Sequence, residues 1–151
     1  MTILKHSLLI LLIVTVYSCS KTSTASGNGG TWTAQNTTYT ASSTSRSGTS
    51  ITFTDATHGT NIICTFYQTI PTANTTFTMI DYAPNNYNQM EVSFFNGTHT
   101  YLANSIYSPQ ATVSVGSNGK LSITFLSAEF DYSSGVGGID TLYVAGSMHE
   151  I

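Results

Sequence analysis

From Trp32 onward, short runs rich in Thr, Ile, Val and aromatic residues are cut at close intervals by Gly, Pro, Asn and Asp. In residues 61–68, NIICTFYQ, the side chains of Ile62, Cys64 and Phe66 stand two apart and therefore fall on one side of an extended strand. The same reading applies to WTAQNTTYTA, TSITFTD, TTFTMIDY, QMEVSFF, THTYLA, ATVSV, KLSITFLSAEFDY and IDTLYVAGSM. No window sustains a 3.6-residue apolar period, and β-branched residues fill most of the strand positions.

The connectors carry turn chemistry. Asn96-Gly97 lies between two runs and is the strongest short hairpin signal, because both residue types tolerate positive φ. DATHG at 55–59 and GSNG at 116–119 read as further hairpin loops, and Pro71, Pro84 and Pro109 all fall between strands. In residues 120–132 the inward parity of Leu121, Ile123 and Phe125 conflicts with that of Ala128, Phe130 and Tyr132. A bulge at Leu126 and Ser127 reconciles them. The expected fold is a single all-β domain over residues 32–151, an antiparallel, meander-rich sandwich or small barrel of eight to ten strands.

Thr (26) and Ser (20) dominate the 151 residues, aromatics reach 11%, and charged residues only 7%, which suits one sheet-built domain. Beyond residue 18, Lys21, Arg46 and Lys120 face seven acidic residues. That balance argues against nucleic acid, whose binding requires Lys and Arg to neutralise phosphates.

Ahead of the domain, one Lys precedes the apolar run LLILLIV, which is too short to span about 30 Å of hydrocarbon and fits a signal peptide. Val16, Tyr17, Ser18 and Cys19 follow, and in them the chain resembles the bacterial lipoproteins, whose lipobox places a small residue directly before an obligatory cysteine. Tyr17 is bulkier than that pattern usually has. The resemblance implies a signal peptide over 1–18, cleaved before Cys19, and diacylglycerol on the Cys19 sulfur with acylation, such as palmitate, of the new amine. Ser20, where Asp would retain the protein in the inner membrane, implies an outer-membrane, Gram-negative envelope location. Acyl chains at about 0.8 kcal/mol per buried CH₂ make such attachment lasting. Residues 19–31 then hold the lipidated Cys19 and a flexible Ser/Thr/Gly tether reaching about 18 Å. The part after Trp32 also resembles, in pattern, small all-β domains carried behind lipoboxes in other Gram-negative lipoproteins, a likeness that implies no activity.

With Cys19 acylated, Cys64 has no disulfide partner, and its phase with Ile62 and Phe66 makes it a buried, inert thiol. No catalytic signature occurs: there is no G-x-S-x-G, H-E-x-x-H or C-x-x-C, and no cofactor or metal is expected. His58 and His99 read as turn residues. The enzymatic alternative is a small hydrolase using Glu129, Asp131 and Asp140 as acid and base. A second alternative is a lipocalin-like carrier with an apolar ligand inside a barrel. The leading reading is non-catalytic binding of a glycan or an envelope protein partner. Its candidate residues are Tyr82, Asn85, Asn86 and Tyr87 in one loop and Tyr107 in another, brought to one end of the sheet by a meander.

Overall fold

The computed structural model describes residues 28–133 and 139–151; the signal peptide, Cys19 and most of the tether lie outside the described residues. The strands are β1 (Gly30–Ala34), β2 (Thr37–Thr40), β3 (Ser43–Ser47), β4 (Ser50–Asp55), β5 (Thr60–Phe66), β6 (Thr75–Ile80), β7 (Gln89–Phe95), β8 (Thr100–Ala103), β9 (Gln110–Val115), β10 (Leu121–Ser133) and β11 (Ile139–His149). One 3-10 turn, Ser105–Tyr107, separates β8 from β9. The all-β expectation agrees with this, and the strands form one mixed sheet in the order β2-β1-β11-β10-β9-β6-β7-β5-β4-β3.

Three features differ from the expected meander. The run 32–41 is two strands, because Gln35 and Asn36 both adopt positive φ (47° and 65°) and turn the chain back on itself. β6 and β7 are parallel, with Thr78 opposite Gln89, so the loop between them doubles back along the sheet. The connection at Asn96-Gly97 is longer than two residues: Asn96 N–H donates to the His99 carbonyl, and the Asn96 Oδ1 accepts from the N–H groups of Thr98 and His99. The turns at 55–59 and 116–119 fall where expected, as does the bulge between Phe125 and Ala128.

β8 occupies a gap. β10 pairs with β9 over Leu121 to Phe125 and with β8 at Phe130 and Asp131, while β7 pairs with β6 at its start and with β8 at its end. The two edge strands, β2 and β3, are successive in the chain. Ala41 N–H donates to Gly30 and Ser42 N–H to Thr54, so the corner hydrogen-bonds to both flanking strands. Asp55, buried at the end of β4, accepts from Thr40 N–H across this corner at 2.9 Å, from Thr57 N–H and His58 N–H, and from the His58 ring at 2.8 Å. Burial alone would push the Asp55 carboxyl up, but these donors outweigh it and hold it below the ordinary carboxylate range.

The inward side chains form a single cluster, including Trp32, Phe53, Ile62, Met90, Phe94, Leu121, Phe130 and Met148. Cys64 lies within it, and burial pushes its thiol up to about 12, which leaves it protonated and unreactive. β1 enters through Gly30, at φ 88°, where an added Cβ would lie 2.2 Å from the Ser147 carbonyl oxygen. Only glycine permits that approach to β11.

Candidate binding face

The bulge in β10 decides which side chains reach its outer surface. Ahead of it Leu121, Ile123 and Phe125 point inward; after it Ala128 and Phe130 do, so Glu129 and Asp131 point out together. The register with β11 sets Tyr143 opposite Glu129 and Thr141 opposite Asp131. Cross-strand neighbours at such positions lie within side-chain reach. The Tyr143 hydroxyl donates to Glu129 Oε2 at 3.2 Å and the Thr141 hydroxyl to Asp131 Oδ1 at 2.7 Å.

Asn104 ties this pair to the neighbouring turn. β8 ends at Ala103, and Asn104 N–H donates to the Glu129 carbonyl, which fixes its backbone. Its Oδ1 caps the 3-10 turn by accepting from Ile106 N–H, while its Nδ2 donates to Glu129 Oε1 at 2.9 Å and to Asp131 Oδ2 at 2.6 Å. One amide thus bridges two carboxylates and presents the turn residues Ile106 and Tyr107 beside them. The hydrogen bond to Glu129 raises the Tyr143 phenol above its ordinary value, because losing the proton would set two anions together.

Apolar surface concentrates around these carboxylates. Tyr107 and Tyr143 are 68% and 61% exposed and, with Glu129, line a depression of about 410 Å³. Tyr143 and Ser127 also line a second of about 480 Å³, and Asn104, Asp131 and Ile139 a third of about 350 Å³. Leu126, in the bulge, and Ile106 are exposed at the margin. The two described cations lie elsewhere: Arg46 binds Glu150 and the Gly119 carbonyl, and Lys120 precedes Leu121, at the far end of β10.

Of the five residues picked from the sequence, Tyr87 and Tyr107 line different depressions. Tyr107 belongs to the face just described. Tyr87 packs its ring edge-on to Tyr67 at 5.1 Å, donates its hydroxyl to Gln68 at 2.6 Å, and lines a separate depression of about 310 Å³ with Phe66, Phe77 and Pro71. Asn86 accepts from Asn88 N–H and Asn85 N–H donates to Gln89, whose amide in turn reaches the Tyr82 hydroxyl. The amides of Asn85 and Asn86 shape their own loop, whose first residue, Asp81, lines the depression of about 350 Å³ with Asn104 and Asp131.

The trio Glu129, Asp131 and Asp140 also divides. Asp140 is one residue from Thr141 and so faces the opposite side of β11 from Asp131, where it accepts from the buried Tyr101 hydroxyl at 2.6 Å. That bond, with burial, pushes the Tyr101 phenol up to about 12. Among the described residues, no three His, Cys, Asp or Glu side chains come together to hold a metal ion. His58 and His99 sit in turns as expected; His58 pairs with Asp55 and meets the Tyr39 ring edge-on, and the His99 ring lies 4.3 Å from that of Tyr132, tilted by 35°. Compared with family models, with curated proteins and with solved structures, the chain matches none of them.

Proposed function

We propose that this chain is a lipid-anchored envelope protein, held through Cys19, whose β-domain is a non-catalytic binding module using the outer face of β10 and β11. The observation that carries the binding role is the concentration of Ile106, Tyr107, Leu126, Ile139 and Tyr143, all exposed, around the Glu129 and Asp131 pair. Contiguous exposed apolar surface on a monomeric domain marks an interaction site, and rigid aromatic rings supply contact area at low entropic cost. The anchor rests on the apolar run and on Val16, Tyr17, Ser18 and Cys19. For the domain itself we read a sheet rolled into a closed, barrel-type wall, supported by the β2 to β3 corner and by β8 bridging β7 and β10. The single cluster of bulky inward side chains argues against an apolar cargo inside it, and the opposed placement of Asp140 argues against a carboxylate triad.

Mass spectrometry of protein extracted from membranes tests the anchor: a chain beginning at Cys19 with added acyl mass is expected, and an unmodified thiol contradicts it. Screening the immobilised full chain against glycan and peptide panels tests the face. Ligand recognition should fall in Tyr107→Ala and persist in Tyr82→Ala; the reverse pattern would assign the site to the other loop.

A further inference from the structure

Resting on the binding role just proposed, we infer that the occupant of this face is a cationic segment of a partner polypeptide, with a Lys or Arg seated between Glu129 and Asp131. The two carboxylates share the Asn104 amide, so their oxygens stand no farther apart than its two hydrogen bonds laid end to end. At such separations like charges repel, and an incoming cation lowers the energy of both at once. Among the described residues, neither carboxylate side chain is bonded to a backbone N–H, and neither described cation lies on the face. Tyr107 and Tyr143 flank Glu129, where their rings can take the aliphatic stem of a Lys or the plane of a guanidinium. The depressions of about 410 Å³ and 350 Å³ lie on either side of the pair and give the neighbouring side chains of an extended segment somewhere to go. Apolar residues in that segment would cover Ile106, Leu126 and Ile139. A neutral sugar would match the rings but leave the paired negative charge without a counterpart.

The test titrates the full chain with a nonapeptide of alternating Lys and Leu, and with counterparts carrying Gln or Glu in place of Lys. The Lys peptide should bind about tenfold or more tighter than the Gln peptide and weaken several-fold in high salt, on the order expected for desolvated charge pairs. Glu129→Gln combined with Asp131→Asn should abolish that preference while leaving the melting curve in place. Equal binding of the Lys and Gln peptides, lost in both cases in Tyr107→Ala, would overturn the cationic occupant and leave the binding face standing. No binding of any peptide would overturn the inference, as would a dimer of the chain that dissociates in Lys120→Gln, which would make the occupant a second copy.

Discussion

Asp55 and the Glu129–Asp131 pair are carboxylates in the same sheet with opposite circumstances. Asp55 sits at a strand end beneath a tight turn and takes backbone N–H donors from its own turn and from Thr40, together with the His58 ring. Its charge is enclosed by local structure and has nothing left to offer a ligand. Glu129 and Asp131 stand on a strand interior, where the backbone N–H groups belong to the ladder, and among the described residues only Asn104, Thr141 and Tyr143 reach them. A carboxylate that stabilises the fold is thus distinguished from one free to bind by the origin of its donors: backbone in the first case, movable side chains in the second.

Substitution at Asp55 gives the largest expected effect. Asp55→Asn replaces an acceptor of four N–H bonds by a group with one acceptor oxygen and should cost about 2–4 kcal/mol in chemical denaturation. Because the folded carboxyl lies below its ordinary value, its contribution is present at neutral pH and is lost as pH falls through that lowered value. The wild-type acid limb should therefore flatten in the variant; an unchanged limb would place the acid-sensitive group elsewhere. Tyr101→Phe removes the bond to Asp140 and should cost about 1–2 kcal/mol. With the phenol raised from 10.0 to about 12, the wild-type stabilisation holds below pH 10.0 and fades as pH climbs toward about 12. Denaturation curves across that range should converge for the two proteins.

Smaller effects sharpen the contrast. Tyr87→Ala loses the Gln68 bond and the Tyr67 contact and should lower stability by about 0.5–1.5 kcal/mol without altering ligand affinity. Glu129→Gln should change stability by less than about 0.5 kcal/mol, since the group lies on the outer face and its bonds among the described residues are to side chains. A loss of 2 kcal/mol there would erase the distinction from Asp55.

Much of this was legible from residue order, for local reasons. Cys64 followed from its parity with Ile62 and Phe66, and the bulge at Leu126 and Ser127 from a parity conflict within one strand. The strand β3, STSRS, carries no apolar residue, so it left no periodic signal; it pairs through its backbone along β4. The Gln35 and Asn36 turn lacks the glycine that usually announces positive φ. The candidate face was half legible. Tyr107, Glu129 and Asp131 stood out individually, but joining them requires Asn104 to cap a turn with one end of its amide and bridge two carboxylates with the other. Tyr143 enters only through the β10–β11 register, which the bulge shifts. Long-range pairing of this kind has no local sequence mark.

On the proposed function, the outer face of β10 and β11 is available for recognition and contributes little to the fold. The combined variant Tyr107→Ala and Tyr143→Ala tests it most directly, with unfolding free energy and affinity for the best peptide or glycan ligand measured on the same preparation. A stability change below about 0.5 kcal/mol and an affinity loss of about tenfold or more are expected. A protein destabilised by about 2 kcal/mol whose folded fraction binds as tightly as before would contradict it.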